Sequence, residues 1–398
     1  MGEWPIKSAN KETINSLEEQ IDANKQLWQG KKLYIWGAGV RGTLTGLLLE
    51  QHGFENFLYI DGDSRKWGKN ICGHSICSSV EFLTTCTQND FILIPLEYSE
   101  EVKSTLLAYE FVEKENFLIL KTNESKTFVN HFLVKHNSKF LMIGGSLFNE
   151  VSLCEKGPSL AERLSSLFGE NANILSINCL SLVGYYHLIR MKIMCNYIPK
   201  ETCIFLTWDL MTEYAHLLPR NQHVELFELL KKNCDIYDQS LDDFIANTQK
   251  RSCNYKLEFE KSPIRVFEGS RPLLQYIHRN YLEKSLLFSL ETSTESFEYL
   301  NRIIDICKQY SIRCSIFFLP YNYQFVEDYF GKEARAIVNK NMKIIEDIFL
   351  PRNIKLYDLG RLLESQYFET TVTVNDAIYN TGIKKLAQEI YKILSNKR

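Results

Sequence analysis

Apolar strand-like runs alternate with helix-length segments along most of this chain, and that alternation most constrains its fold. A first series of strands is predicted at "KKLYIW", "FLYID", "FILIPL" and "FLIL", before residue 121. A second series is predicted at "FLMIGG", "ILSIN", "CIFLT", "CSIFFLP" and "IKLYDLG", after residue 139. Strands separated by helices of this length favour parallel sheets covered on both faces, so we expect an α/β protein.

The two series indicate two doubly wound domains. We expect the first over residues 1–124 and the second over residues 139–398, joined by the polar segment "KTNESKTFVNHFLVKHNSK". Residues 210–283 are charged, mostly helical in pattern and longer than a crossover requires, which predicts a helical insert over the second sheet. Apolar stripes at helical spacing predict buried positions Phe297, Leu300, Ile304 and Cys307, and Ile383, Leu386, Ile390 and Leu394.

Charge and cysteine usage exclude several classes of partner. Lys and Arg number 46 against 49 for Asp and Glu, without a long single-sign run, so no nucleic-acid or anionic-membrane partner is expected. No stretch approaches the ~18 apolar residues of a membrane span, and the start does not resemble a signal peptide. We therefore expect a cytoplasmic protein. The 11 cysteines show no metal-binding spacing, which predicts reduced thiols, mostly in apolar positions, and no metal.

A glycine motif follows the first strand. Gly37, Gly39 and Gly42 form G-x-G-x-x-G directly before the helical "TLTGLLLEQHG". Such glycines permit a tight turn and close backbone approach, and the helix N-terminus offers free N–H groups to a phosphate. Asp61 ends the next strand, where a carboxylate can accept from a ribose hydroxyl. The alternative is that the glycines only pack the helix against the strand.

The stretch "DGDSRKWGKNICGHSI" carries a resemblance, through Asp61, Lys66, Gly68 and Gly73. It resembles the N-terminal Rossmann-like domain of bacterial sugar-modifying enzymes, in particular acetyltransferases acting on nucleotide-linked amino sugars, and an accessory domain of some sugar C-methyltransferases. The resemblance covers roughly residues 30–120. It implies a nucleotide or nucleotide-sugar ligand and no required cofactor, with NAD a weaker candidate. Lys66 would then pair a phosphate; otherwise it is a solvated surface lysine.

Ser146 is the candidate reactive group of the second domain. "FLMIGGSLFNEV" ends its strand at Gly-Gly-Ser, which places the Ser146 hydroxyl at the carboxyl edge of a parallel sheet. Serine after glycine is also a common turn, and that alternative stays open.

Further segments turn this into a resemblance to the SGNH/GDSL hydrolase superfamily, over about residues 139–396. Gly184 in "CLSLVGYYH" matches the family's oxyanion glycine, and Asp209 in "CIFLTWDLM" matches the second residue of its Asn-Asp pair. "VNDAIYNTGIKKLAQEI" resembles the terminal block through Asp376, Asn380 and Gly382. The resemblance implies a flavodoxin-like three-layer fold in which Ser146 is the nucleophile and the N–H groups of Ser146 and Gly184 hold an oxyanion.

Two departures from the family weaken the expected activity. Trp208 stands where the family has the oxyanion asparagine. Tyr379 stands where it has the general-base histidine, and a phenol with a reference pKa of about 10 is protonated at neutral pH. Asp376 would then orient no imidazole. The histidines of the second domain that could substitute are His187, His216, His223 and His278.

These features lead to one expected function and two alternatives. We expect an acyl esterase or acyltransferase acting on a sugar or nucleotide-sugar in surface-polysaccharide or glycoconjugate biosynthesis, with Ser146, Gly184, Asp209, Asp376 and Tyr379 at its site. A non-catalytic nucleotide-sugar-binding or scaffold protein with a degenerate hydrolase domain competes with it. An NAD-dependent oxidoreductase rests on the glycine motif alone. The expected partners are the small-molecule sugar and an acyl donor; homo-oligomerisation stays open.

Overall fold

The computed structural model describes residues 8–64, 66–96, 99–121, 124–133, 138–153, 155, 157–178, 180–212, 223–248, 286–368 and 378–396. Within them the chain divides into two compact units: unit 1 up to Glu124 and unit 2 from Ser125 onward. Each unit contains a sheet of mainly or wholly parallel strands connected through helices. The expected α/β class is therefore confirmed.

Unit 1 alternates strands and helices. Its strands are β1 (Ser8–Asn10), β2 (Lys32–Trp36), β3 (Phe57–Asp61), β4 (Asn70–Ile71), β5 (His74–Ser78), β6 (Asp90–Ile94) and β7 (Phe117–Ile119). Its helices are α1 (Lys11–Asn24), α2 (Val40–Gln51), α3 (Ser79–Thr85) and α4 (Glu100–Ala108). Strands β4 and β5 were not predicted, because "NI" and "HSICS" contain no continuous apolar run.

The sheet of unit 1 has the order β4-β5-β3-β2-β6-β7. All neighbouring strands are parallel except β4, which is antiparallel to β5. Counted along the chain, the five parallel strands follow the order 3-2-1-4-5, so the direction of winding reverses between β2 and β6. Connections leave these two strands towards opposite faces, which opens a crevice at their carboxyl ends.

Unit 2 is the larger unit. Its strands are β8 (Phe140–Gly144), β9 (Glu150–Ser152), β10 (Ala172–Ser176), β11 (Glu201–Leu206), β12 (Arg313–Phe318) and β13 (Lys355–Asp358). Its helices are α5 (Glu124–Leu133), α6 (Leu160–Phe168), α7 (Leu182–Met194), α8 (Val224–Cys234), α9 (Glu295–Gln309), α10 (Tyr323–Phe330), α11 (Lys332–Phe349) and α12 (Asn380–Ser395).

Helix α5 corrects one expectation, since it lies inside the polar segment expected to join the domains. Phe128, Val129 and Phe132 from this helix are buried in the core of unit 2. Three apolar side chains at helical spacing are enough to dock it, although the polar residues around them resemble a linker.

The sheet of unit 2 has the order β10-β8-β11-β12-β13, and all its strands are parallel. Counted along the chain this is 2-1-3-4-5, with the reversal between β8 and β11. Ile143 of β8 lies opposite Leu175 of β10 and Ile204 of β11. The turns after β8 and β11 therefore meet at one edge of the sheet, at its switch point.

Apolar side chains cover both faces of this sheet. One face packs against α7, α9 and α11, and its core contains the predicted stripe Phe297, Leu300, Ile304 and Cys307. The other packs against α6 and α12, and its core contains Ile383, Leu386, Ile390 and Leu394. Both predicted stripes are confirmed. The side chains of each stripe are buried together because residues three and four apart lie on the same side of a helix.

The predicted insert over residues 210–283 is described only in part. Helix α8 and a further helical stretch over residues 239–248 belong to it, and Leu226, Phe227 and Leu230 pack into the core of unit 2. Residues 213–222 and 249–283 of the segment lie outside the described residues. No helix in the described ranges is long and apolar enough to cross a membrane. The eight described cysteines form no disulfide; Cys154, Cys179 and Cys253 lie outside those ranges.

Candidate functional sites

The first candidate site lies where the winding of unit 1 reverses, at the carboxyl end of β2. Gly37 follows β2 with φ of +112°, and its N–H donates to Ile60 O at 2.7 Å. A Cβ on Gly42 would lie 1.7 Å from Gly37 O, so α2 packs directly on the turn. Gly39 has open space at its Cβ position and precedes the first residue of α2. Gly37 and Gly42 thus form the turn, while Gly39 leaves its backbone accessible.

Asp61 fastens this turn to the end of β3. Its Oδ2 accepts from the Ala38 N–H at 2.7 Å and from Lys66 Nζ at 2.9 Å, and its Oδ1 accepts from the Asp63 N–H at 2.9 Å. The residue is only 8% exposed. The carboxylate therefore already has three donors from the protein, and the ribose contact expected of Asp61 stays a prediction.

Lys66 is paired rather than free in solvent. Its ammonium forms an ion pair with Asp61, and only about a fifth of its side chain is exposed. The lysine therefore neutralises a carboxylate bonded to the glycine turn. Without this pairing, Asp61 would repel an anion approaching the first turn of α2. The solvated-surface alternative for Lys66 does not fit this contact.

The second candidate site lies at the switch point of unit 2. Ser146 follows Gly144 and Gly145 and begins a single 3-10 turn, Ser146–Phe148. It is partly exposed, and no hydrogen bond reaches its Oγ within the described part of the chain. The hydroxyl thus stands at the carboxyl edge of β8, next to the strand with which the winding reverses.

Asp209 follows the neighbouring strand β11. Its Oδ1 is enclosed and has no hydrogen-bond partner among the residues that the structure describes. Burial raises the pKa of Asp209, opposed by hydrogen bonding from the Thr207 hydroxyl and from the N–H groups of Asp209 and Leu210. A buried carboxyl with a spare oxygen is costly to the fold, so it is a candidate for function.

Tyr185 of α7 links these two strand ends, and no sequence pattern singled it out. Its hydroxyl lies 3.3 Å from Phe205 O, to which it donates, and 3.7 Å from the position of a Cβ on Gly145. Burial, and secondarily the charge of Asp209, raises the pKa of Tyr185. The phenol therefore remains protonated, and it lies beside both β11 and the Gly-Gly-Ser turn. Only the tertiary fold brings it there.

The expected oxyanion glycine, Gly184, and Trp208, which stands in place of the family's oxyanion asparagine, both have structural contacts of their own. The Gly184 N–H already donates to Ser181 Oγ at 3.3 Å as part of the N-terminal cap of α7. Trp208 is 3% exposed and stacks on Phe318 with centroids 4.6 Å apart. Helix capping accounts for the Gly184 N–H, which is therefore not a free donor, and core packing accounts for the Trp208 ring. The oxyanion role expected of Gly184 is not supported by this geometry.

The terminal block is described from residue 378 onward. Tyr379 precedes α12, and its N–H donates to Tyr367 O at 2.8 Å. Asn380 accepts from Arg163 and packs against Gly157. Asp376 lies outside the described residues. No hydrogen bond joins Ser146 to Tyr379 in the ranges described, so the expected pairing of these residues stays a prediction.

The candidate histidines divide by position. His187 is buried in the helical layer, where it stacks on Phe244, and burial lowers its pKa to about 4. His223 precedes α8, with Nε2 at 2.7 Å from Asn178 O. Asn178 follows β10, so His223 lies at the same edge of the sheet as Ser146. His216 and His278 fall outside the described residues. No described histidine is hydrogen bonded to Ser146.

Two further features of the described residues bear on ligands. A pocket of about 250 Å³ in unit 2 is lined by Tyr321, Val338, Asn339, Met342, Lys343, Glu346, Asp358 and Arg361, none of which is a predicted site residue. Among the described residues, no group of three His, Cys, Asp or Glu side chains is placed to hold a metal.

Comparison with known proteins does not assign this chain to a family. The chain matches no protein-family model. A search of curated proteins also finds no match. Residue chemistry and site geometry are therefore the basis for proposing a function.

Proposed function

We propose that unit 1 is a Rossmann-like domain that binds the phosphates of a nucleotide or nucleotide-sugar. Its 3-2-1-4-5 strand order and its glycine turn at the switch point support this proposal. The N–H groups at the start of α2 would meet the phosphates, and Lys66 would cancel the charge of Asp61 beneath them. The same site would accept NAD less well, because the carboxylate expected to hold its ribose already accepts three protein hydrogen bonds.

For unit 2 we propose an SGNH-like acyl esterase or acyltransferase acting on a sugar. One observation carries this proposal: at the switch point of a sheet ordered 2-1-3-4-5, the partly exposed Ser146 hydroxyl has no hydrogen-bond partner among the described residues. Asp209 follows the adjacent strand, and its enclosed Oδ1 also has no partner in that part of the chain. Such an edge is where open α/β sheets place their ligands.

The proposed reaction has two steps. Ser146 Oγ attacks the carbonyl carbon of an acyl ester or thioester; the bond to the leaving alcohol or thiol breaks, and the serine proton ends on that group. A sugar hydroxyl or water then attacks the acyl-serine and returns a proton to Ser146. The Ser146 N–H would hold the oxyanion, and the pair Asp376 and Tyr379 would relay the protons.

Covalent labelling tests the serine. A fluorophosphonate probe should label the intact protein at Ser146, as read by peptide mass spectrometry, and Ser146→Ala should abolish both labelling and turnover of a p-nitrophenyl acetyl ester. The matched control is Ser166→Ala, an exposed serine on α6, which should retain both. Turnover that is equal in wild type and Ser146→Ala would reject the proposal.

A second function is favoured by different observations. Trp208 is a core residue, the Gly184 N–H is used in a cap, and no described histidine bonds to Ser146. These facts fit a binding or scaffold protein whose second unit has lost catalysis. This alternative predicts UDP-sugar binding by calorimetry together with no labelling of Ser146. Labelling with turnover would exclude it.

A further inference from the structure

Trp67 is an unusual side chain in unit 1 because its indole is both exposed and fixed in place. It is 41% exposed, whereas Trp28, Trp36 and Trp208 are 1%, 8% and 3% exposed. Its Nε1–H donates to Asp61 O at 2.7 Å. This hydrogen bond satisfies the polar edge of the ring and limits its rotation, while part of the ring remains open to solvent.

The position of Trp67 relates it to the glycine turn. Asp61 accepts from the Trp67 indole through its backbone oxygen and from the Ala38 N–H through its carboxylate. A single residue at the end of β3 therefore holds both the ring and the turn. Lys66, directly before Trp67, pairs with the same carboxylate. The ring thus stands beside the edge where the phosphates of the proposed ligand would lie.

We propose that the exposed face of Trp67 is the stacking platform for the base of a nucleotide whose phosphates lie at the first turn of α2. This inference rests on the proposed nucleotide binding by unit 1. Stacking on an aromatic ring suits every base, since each has a π face, and needs no side-chain hydrogen bond for recognition. The ligand class is therefore a nucleotide that carries a base, rather than a sugar phosphate alone.

Calorimetric titrations with UMP, AMP and ribose 5-phosphate test the platform in the full-length protein. UMP and AMP should bind wild type about ten- to a hundredfold more tightly than ribose 5-phosphate, and Trp67→Ala should remove that advantage. Trp67→Phe keeps a ring without the indole N–H and should stay within about threefold of wild type. The matched control Tyr109→Ala removes another exposed aromatic of unit 1, after α4, and should change nothing.

The outcomes distinguish a failure of the stacking platform from a failure of nucleotide binding by unit 1. If none of the three ligands binds wild type, nucleotide binding by unit 1 fails and the platform fails with it. If UMP binds wild type and Trp67→Ala equally, or Trp67→Phe loses as much as Trp67→Ala, the platform alone is overturned. If Trp67→Ala does not fold, wild-type tryptophan fluorescence decides: UMP should quench it and ribose 5-phosphate should not, and equal quenching by both would overturn the platform.

Discussion

The glycine turn of unit 1 and the Gly-Gly-Ser turn of unit 2 occupy equivalent places in two different sheets, since each follows the strand at which the winding reverses. Around the first turn, the carboxylate of Asp61 accepts three hydrogen bonds, from Ala38, Asp63 and Lys66. Around the second, Ser146 Oγ and Asp209 Oδ1 lack partners among the described residues.

The two turns thus show that a site at the same topological position can be built in two ways. In unit 1, internal hydrogen bonds fix the loop and leave the main chain to meet a ligand. In unit 2, polar side chains themselves remain available, at a cost to stability that a structural turn would not need. Substitutions that act on one turn and spare the other therefore test the comparison.

The largest effect is expected at Gly42. In Gly42→Ala the new Cβ would lie 1.7 Å from Gly37 O, a backbone atom, so α2 must move and unit 1 should lose about 4 kcal/mol or more of unfolding free energy. Gly39→Ala is the matched control, because Gly39 has φ of −100° and no atom near its Cβ position. It should change stability by less than about 0.5 kcal/mol, yet weaken UDP binding.

Urea unfolding followed by circular dichroism measures both glycine variants, and calorimetry measures UDP binding. Equal stabilities of Gly42→Ala and Gly39→Ala would contradict the close packing of α2 on the turn. Wild-type UDP affinity in a folded Gly39→Ala would show that no ligand approaches this backbone.

The next effect is acid sensitivity of unit 2 through His187. Burial, with smaller contributions from Arg190 and Arg302, lowers its pKa to about 4 from 6.5, so the unfolded state binds the proton first as pH falls. The contribution to stability is complete above about pH 6.5 and is lost towards pH 4, in total about 3 kcal/mol. His187→Phe should therefore reduce the loss of unfolding free energy between pH 6.5 and pH 4, as measured by urea unfolding at several pH values. If His187→Phe and wild type lose the same stability over this pH range, His187 is not a neutral, buried residue.

A smaller effect is expected within the Gly-Gly-Ser turn. A Cβ on Gly144 would lie 2.3 Å from the buried ring of Phe148, so Gly144→Ala should cost about 2 kcal/mol through overpacking. Gly145→Ala meets only Tyr185 at 3.7 Å and should be tolerated. Thermal unfolding of the two variants compares them. If Gly145→Ala lost more thermal stability than Gly144→Ala, the close contact between Gly144 and Phe148 would be contradicted.

The smallest effect is expected for Lys66→Met, which removes the charge opposite Asp61. Stability should fall by about 1 kcal/mol, because the Asp61 carboxylate keeps the N–H donors of Ala38 and Asp63 and still reaches solvent. UDP binding should weaken several-fold, since an uncompensated carboxylate would face the phosphates. Lys69→Met, a partly exposed neighbour, serves as control. Equal UDP affinity in both variants would remove Lys66 from the proposed site.

Local pattern predicted most strands and the packed helix stripes, because continuous apolar runs and residues at helical spacing bury for reasons that lie within the segment. Strand β5 was not predicted because its buried positions include the polar residues His74 and Ser78. Helix α5 was not predicted because only Phe128, Val129 and Phe132 mark its buried side. Both elements depend on contacts with residues far along the chain.

The sequence by itself determined the α/β class and, of the candidate sites, the glycine turn and the Gly-Gly-Ser strand end. Each follows from backbone geometry and local hydrophobic pattern. The tertiary structure decided which polar groups are already satisfied. It assigned the Gly184 N–H to a helix cap, engaged Asp61 with three donors and brought the Tyr185 hydroxyl to Phe205 O. Hydrogen bonding between distant residues is set by packing, and no local pattern encodes it.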